Sequence, residues 1–170
     1  MGLHALVLAA GRGVRMRPLS ETCAKPALPV LGTSLVGRVV RKLLEGGVTA
    51  AGVNAFHGAD SLAAALERDA GGRTELFREG VLMGTGGALD APRELLSESD
   101  PFVLHNGDTL VDAPVTALAE AAERPGCLGA LLVRQPAAEG YTPLAVRDGR
   151  LVGVGPGALD SGGAESATYL

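Results

Sequence analysis

The chain has 170 residues, of which 46% are hydrophobic and 20% charged, with a formal net charge of −4, two cysteines and no tryptophan. That length and apolar content suit a folded protein with a real core and argue against disorder. The acidic balance argues against a general nucleic-acid binder, and the scarcity of aromatics against a stacking platform for single strands, so no nucleic-acid partner is expected.

Leu3–Ala9 is a short apolar run ending near glycine, which predicts a buried parallel strand. It is too short to span a membrane and lacks a basic flank or a cleavage-site pattern. Cys23 and Cys127 show no metal-ligand spacing. The expectation is a soluble cytoplasmic protein with reduced thiols and no membrane partner. Residues 11–33 hold Pro18, Pro26 and Pro29, so most of that segment is loop. A helix follows over 34–45, with Leu35, Val36, Val39, Val40, Leu43 and Leu44 on one face and Gly46-Gly47 as its stop. Val48–Phe56 reads as a second strand, and Asp60 or Ser61 can cap a helix carrying Leu62, Ala65 and Leu66.

Thr74–Arg78 is a third strand, and the glycine-rich loop after it feeds a helix running to about Leu96. Pro101–Asp108 is a strand with a polar end, and Pro114–Glu123 a helix with Asp112 or Ala113 as cap and Pro114 in its first turn. Cys127–Val133 reads as another buried strand. Asp148-Gly149 between two apolar runs then signals a hairpin. Because strand and helix otherwise alternate, the expected fold class is α/β: a doubly wound, mostly parallel sheet with an antiparallel hairpin added near the C-terminus. No repeat or linker divides residues 1–170, which read as a single domain. Ser166–Leu170 looks like the start of a strand, which suggests a domain missing its C-terminal part or one that exchanges chain with a partner; a homo-oligomer stays open.

In an open parallel sheet, ligands bind beyond the carboxyl ends of the strands. The first such loop, LAAGRGVRMRPLSETCAKP at 8–26, gathers Arg12, Arg15, Arg17 and Lys25 around Gly11 and Gly13, with Glu21 as the single acid nearby. It is not a P-loop, since Val14 follows Gly13, nor a dinucleotide fingerprint, since Met16 stands where the third glycine belongs. Crowded cations next to glycines suit a polyphosphate, because backbone N–H groups and guanidinium forks both favour phosphate oxygens. The plainer alternative is a solvated loop whose arginines pair with acids elsewhere. Asp108, after Asn106 and Gly107, is placed to bridge a hard cation such as Mg2+ to phosphate, with a turn or helix cap as the alternative. For Asp112 the cap is the preferred reading. Met83–Gly87 leaves backbone bare for a flat group such as a nucleobase, or is simply a glycine-rich helix entry. His4, His57 and His105 read as core or loop histidines, and no Ser-His-Asp set is visible.

Residues 8–32 resemble the signature of the sugar-1-phosphate nucleotidylyltransferases, Leu-Ala-Ala-Gly-x-Gly-x-Arg-Met/Leu-x-Pro-Leu-Thr followed by Pro-Lys-Pro and Pro-Val. Gly11, Gly13, Arg15, Met16, Pro18, Leu19, Lys25, Pro26, Pro29 and Val30 fall on it in register. Residues 84–89 resemble the family's base-side loop, and 106–108 its metal-binding element. The match runs from residue 3 to about 135 and is nearest to the small enzymes acting on mannose or N-acetylmuramic acid 1-phosphate. It implies a Rossmann-like nucleotidyltransferase fold and a role in NDP-sugar biosynthesis. NTP and sugar 1-phosphate would give NDP-sugar and pyrophosphate, by Mg2+-dependent in-line attack on the α-phosphorus without a covalent enzyme intermediate. By position, the resemblance places Leu8, Ala9, Ala10 and Gly11 against the nucleoside and Gly13 and Arg15 against the β,γ-phosphates. Lys25 would hold phosphates near the reacting centre, Glu79, Gly84 and Thr85 would read base and ribose, and Asp108 would hold Mg2+. Arg15, Lys25 and Asp108 form the implied catalytic set. Departures are Val14 for threonine, Ala24 for proline, and Gly-Pro-Gly at 155–157 for a Glu-Lys-Pro. The family's second metal aspartate lies in its C-terminal part, for which Asp160 comes too early. Two other readings remain: a nucleotidyltransferase for a non-sugar acceptor, and a non-catalytic nucleotide-binding paralogue.

Overall fold

The first strand is apolar except for His4 and has helices against both of its faces. In this computed structural model, which describes residues 2–135, 140–155, 157 and 165–169, β1 (Leu3–Leu8) alternates between two buried environments. Ala5, Val7 and Ala9 join one core cluster with Val36, Val39, Val40 and Leu43 of α2 (Leu35–Glu45) and with Leu62, Ala65 and Leu66 of α3 (Ala59–Asp69). His4 points to the opposite face. Its Nδ1 bonds the Leu95 carbonyl at 2.7 Å and its backbone N–H donates to Ser99 Oγ at 3.0 Å, which ties it to α5 (Arg93–Ser97) and the turn after it.

The chain divides into two compact units, Met1–Cys127 and Leu128–Leu170. The first holds a parallel sheet in the order β5-β4-β1-β6, with β4 at Val48–Ala55, β5 at Thr74–Arg78 and β6 at Val103–Asn106. Central strands of such a sheet are buried on both faces, and β4 is buried at all but one position. A two-strand hairpin of β2 (Pro29–Val30) and β3 (Thr33–Ser34) leads into α2, its tip residues Leu31 and Gly32 both at positive φ. Ser34 caps α2 by accepting from the Gly37 N–H at 3.2 Å, and Gly46 and Gly47 end it as expected. Each large side chain on the buried stripe of α2 contributes about 1.5–3 kcal/mol by leaving water.

The second unit is an antiparallel sheet in the order β7-β10-β8-β9 (Val133–Arg134, Glu165–Tyr169, Leu144–Arg147 and Arg150–Val154). The Asp148-Gly149 hairpin is present, with both residues at positive φ as a tight two-residue turn requires. The expected α/β class with a parallel sheet and an antiparallel C-terminal addition therefore holds. Asp160 and Leu170 lie outside the described residues, as does Pro156 of the Gly-Pro-Gly segment.

Four local expectations are corrected. The strand expected at 127–133 is reduced to Val133–Arg134, with Cys127, Leu128 and Leu131 exposed. An apolar run becomes a strand only against a partner edge, and residues 127–132 have none among the described strands. Neither Asp60 nor Ser61 caps α3; Gly58, at φ 64, occupies that position. Pro114, not Asp112 or Ala113, precedes α6 (Val115–Ala122), and the Asp112 carboxylate instead pairs with Lys42 at 2.7 Å. The glycine-rich segment expected as loop contains the one-turn helix α4 (Gly84–Gly87), and the helix expected after it begins only at Arg93, as α5, because Pro92 disfavours a helical residue before it.

Candidate functional site

The carboxyl ends of three parallel strands meet around Leu8, whose backbone pairs with Asn54 of β4 on one side and Asn106 of β6 on the other. Just past these ends the chain leaves the sheet in three loops, which carry the residues singled out from the sequence. Ala9 and Ala10 are buried side chains, so only their backbone can serve a ligand, whereas Gly11 is exposed. A Cβ added at Gly11 would meet nothing within 4 Å. Gly13 differs: it sits at φ 60, and a Cβ there would come within 3.0 Å of Lys25 Cβ. The fold thus requires glycine at 13, while nothing in the protein requires it at 11.

The cationic loop is braced from beneath. Buried Ser20, in the one-turn helix α1 (Leu19–Thr22), donates its hydroxyl to the Gly13 carbonyl at 2.8 Å, and His57 Nε2 bonds the Ser20 carbonyl at 2.6 Å. Ala24 is fully buried and donates its N–H to Ser61 Oγ at 2.9 Å. Gly58 packs so tightly there that a Cβ on it would lie 2.6 Å from the Ala24 nitrogen. His57, Gly58 and Ser61 come from the turn after β4 and the first turn of α3, far along the chain from the loop they hold. Ser20, His57 and Ser61 gave no functional signal in the sequence.

The arginines of the loop do not neutralise one another's field with acids. Arg12, Arg15 and Arg17 are exposed and form no ion pair among the described residues. Lys25 does: its Nζ lies 2.6 Å from Asp108 Oδ2, with side chains 29% and 39% exposed. The structure thus joins two of the three expected catalytic residues directly and leaves Arg15 apart from them. Asp108 is delivered by a tight approach, because the Gly107 N–H donates to the Leu8 carbonyl at 2.8 Å and a Cβ at 107 would be as close to that oxygen. His105, half-buried in β6, has its pKa lowered mainly by burial, which favours the neutral ring. Among the described residues no group of three or more metal-ligating side chains occurs. The donor set at Asp108 nevertheless fits a hard cation that takes one carboxylate and completes its shell with phosphate oxygens and water.

The third loop begins at Glu79, which follows β5. Each Glu79 oxygen accepts a hydrogen bond within the protein, Oε1 from Asn54 Nδ2 at 2.7 Å and Oε2 from the Met83 N–H at 3.1 Å. Asn54 Oδ1 in turn accepts from the Ala9 N–H at 2.6 Å. Gly84 and Thr85 are exposed beyond this strap, in α4, with open space around Gly84 and Gly86. Asn54 was missed in the sequence; the one available signal was a lone amide inside an otherwise apolar strand.

The chain is similar to known proteins in sequence and in fold. The family model described as nucleotidyl transferase matches residues 4–141. N-acetylmuramate alpha-1-phosphate uridylyltransferase of Neisseria meningitidis serogroup B is 36% identical over 118 residues, 68% of this chain and 51% of that protein. Mannose-1-phosphate guanyltransferase of Aspergillus fumigatus is 32% identical over 135 residues, 77% of this chain and 37% of that one. The chain thus spans about half the length of these relatives or less. A UDP-glucose pyrophosphorylase solved with UDP-glucose superposes with a TM-score of 0.75 at 16% identity, covering 100% of this chain and 74% of that one. HddC from Yersinia pseudotuberculosis, solved with GMP-PN, gives 0.75 at 18% identity, with 100% and 73% covered. At these identities the two structures establish the shared fold.

Proposed function

Since the chain belongs to the nucleotidyl transferase family, we propose that it forms the nucleotide-binding part of a sugar-1-phosphate nucleotidylyltransferase, joining an NTP to a sugar 1-phosphate with release of pyrophosphate. The observation that carries this reading is the cationic loop at the end of β1, with Arg12, Arg15 and Arg17 free of ion pairs among the described residues and Lys25 held against Asp108. Such a site needs no nucleophile of its own. Two phosphate groups brought to ~4 Å repel by about 1 kcal/mol per charge pair in water and ~4 kcal/mol at a surface-like dielectric. Lys25 and Arg15 would offset that repulsion and orient the two anions for direct attack on the α-phosphorus. Mg2+ held by Asp108 and phosphate oxygens would supply further charge neutralisation when bound. Exposed backbone at Gly11, Gly84 and Thr85 would receive the nucleoside, with Glu79 behind the base-side loop.

Among the described residues no helix is long and apolar enough to cross a membrane, and the cytoplasm, where NTPs are abundant, is the compartment we infer. The reading is tested by thermal unfolding with ATP, GTP, CTP, UTP and dTTP, with and without Mg2+, alongside pyrophosphate release with mannose 1-phosphate and N-acetylmuramic acid 1-phosphate. A shift of several degrees with one NTP, lost in Lys25→Ala, is expected. Absence of any nucleotide effect on the unmodified chain would overturn it.

A further inference from the structure

A buried amide between two loops needs a reason, because a polar side chain taken from water is costly unless fully bonded. Asn54 is 4% exposed and sits at the carboxyl end of β4. Its two ends face different loops. The carbonyl oxygen must face Ala9, which offers a donor, and the amide nitrogen must face Glu79, which when ionised can only accept. Glu79 passes the connection on to the Met83 N–H. A continuous hydrogen-bonded path thus runs from the start of the glycine loop, through Asn54, to the residue immediately before Gly84 and Thr85. The Glu79 N–H also donates to the Ala55 carbonyl at 2.7 Å, so the residue is held at its backbone as well as at its carboxylate.

We propose that Asn54 is a positioning residue that, through Glu79, sets the 79–85 loop relative to the end of β1 and thereby determines how tightly the site holds the nucleoside part of its ligand. This rests on the nucleotide reading given above. It assigns Glu79 a mainly internal role, since both of its oxygens are already engaged with protein donors. It also separates the site into halves: the phosphates answer to the cationic loop, and the nucleoside answers to the Asn54–Glu79 strap.

Asn54→Asp keeps an acceptor for the Ala9 N–H but sets a carboxylate against Glu79. The two acids then share a proton, with one pKa raised. In this variant the Met83 amide should exchange faster at pH 7 and recover as pH falls. The double variant N54D/E79Q restores a donor opposite an acceptor and should recover protection at pH 7. Binding of whichever of ATP, GTP, CTP, UTP and dTTP the unmodified chain takes should weaken about tenfold or more in N54D, as for a lost bond to a charged group, and return in the double variant. Inorganic tripolyphosphate should bind all three proteins alike. A merely structural asparagine would weaken both probes together and show no rescue. Unchanged Met83 exchange in N54D, or a double variant as impaired as the single, overturns the proposal. If the unmodified chain binds tripolyphosphate but none of ATP, GTP, CTP, UTP and dTTP, the nucleotide reading falls and this proposal with it, even where the exchange pattern follows expectation.

Discussion

Gly11 and Gly13 stand two residues apart, and replacing each by alanine should separate a glycine kept for the ligand from one kept for the fold. At Gly13 the backbone is left-handed and the new methyl would press on Lys25 Cβ and Ser20 Cβ at 3.0 and 3.1 Å. The left-handed conformation alone costs about 1–2 kcal/mol, which for a chain of this size lowers Tm by roughly 2–8 °C. At Gly11 the methyl enters open space. Stability should then change by less than about 0.5 kcal/mol, or rise slightly through the stiffer unfolded chain. Nucleotide reverses the ranking of interest. An NTP at ~100 times its dissociation constant adds about 2.7 kcal/mol, or roughly 5–11 °C, to the unmodified protein. If the methyl at 11 stands where the ligand must approach and weakens it ~100-fold, the same concentration adds only about 0.4 kcal/mol and roughly 1 °C. The assay is thermal unfolding of the three proteins with and without the NTP and Mg2+. Gly11→Ala with an unchanged Tm and a full nucleotide shift would refute the reasoning, since the glycine would then serve neither fold nor ligand.

Three further outcomes are expected. The Lys25–Asp108 pair is partly exposed, so a double-mutant cycle of Lys25→Met and Asp108→Asn in ligand-free protein should give a coupling of about 0.2–1 kcal/mol that shrinks with salt; a value well above 2 kcal/mol would mean that the pair is desolvated. Ala24→Pro, which installs the residue usual in the family signature, meets a compatible φ of −56 but loses the donor to Ser61 Oγ and should cost about 1 kcal/mol. Adding Ser61→Ala should then cost less than it does alone, and simple additivity in the measured unfolding free energies would count against that explanation. The Asp69 carboxyl is held well below the usual range, chiefly by hydrogen bonding to Arg68 and then to Ser34. A depressed folded pKa stabilises the protein above the unfolded value near 3.9 and loses that contribution as pH falls below it. Acid titration of stability should therefore be shallower in Asp69→Asn below about pH 4; an identical acid limb would show that Asp69 does not contribute.

The chain itself specified the strands, the order of the loops and the chemistry at their tips. Apolar runs such as Leu3–Leu8 and Val48–Ala55 are legible because a parallel strand covered on both faces has no polar alternation to obscure it. The cationic loop is legible because four like charges beside two glycines have few structural uses. Residues 127–132 show the limit: their composition is that of a strand, but a strand exists only where a partner edge is within reach, and one stretch of sequence does not contain its partner. The same holds for Asp112, whose cap role gave way to Lys42 across the fold. What tertiary structure alone decided is which of the marked residues touch. Lys25 meets Asp108 and Ala9 meets Glu79 through Asn54, contacts between segments far apart in the chain. Local propensity records how each segment is inclined to fold; it carries no information about which distant donor will complete a buried acceptor, and the site is made of those completions.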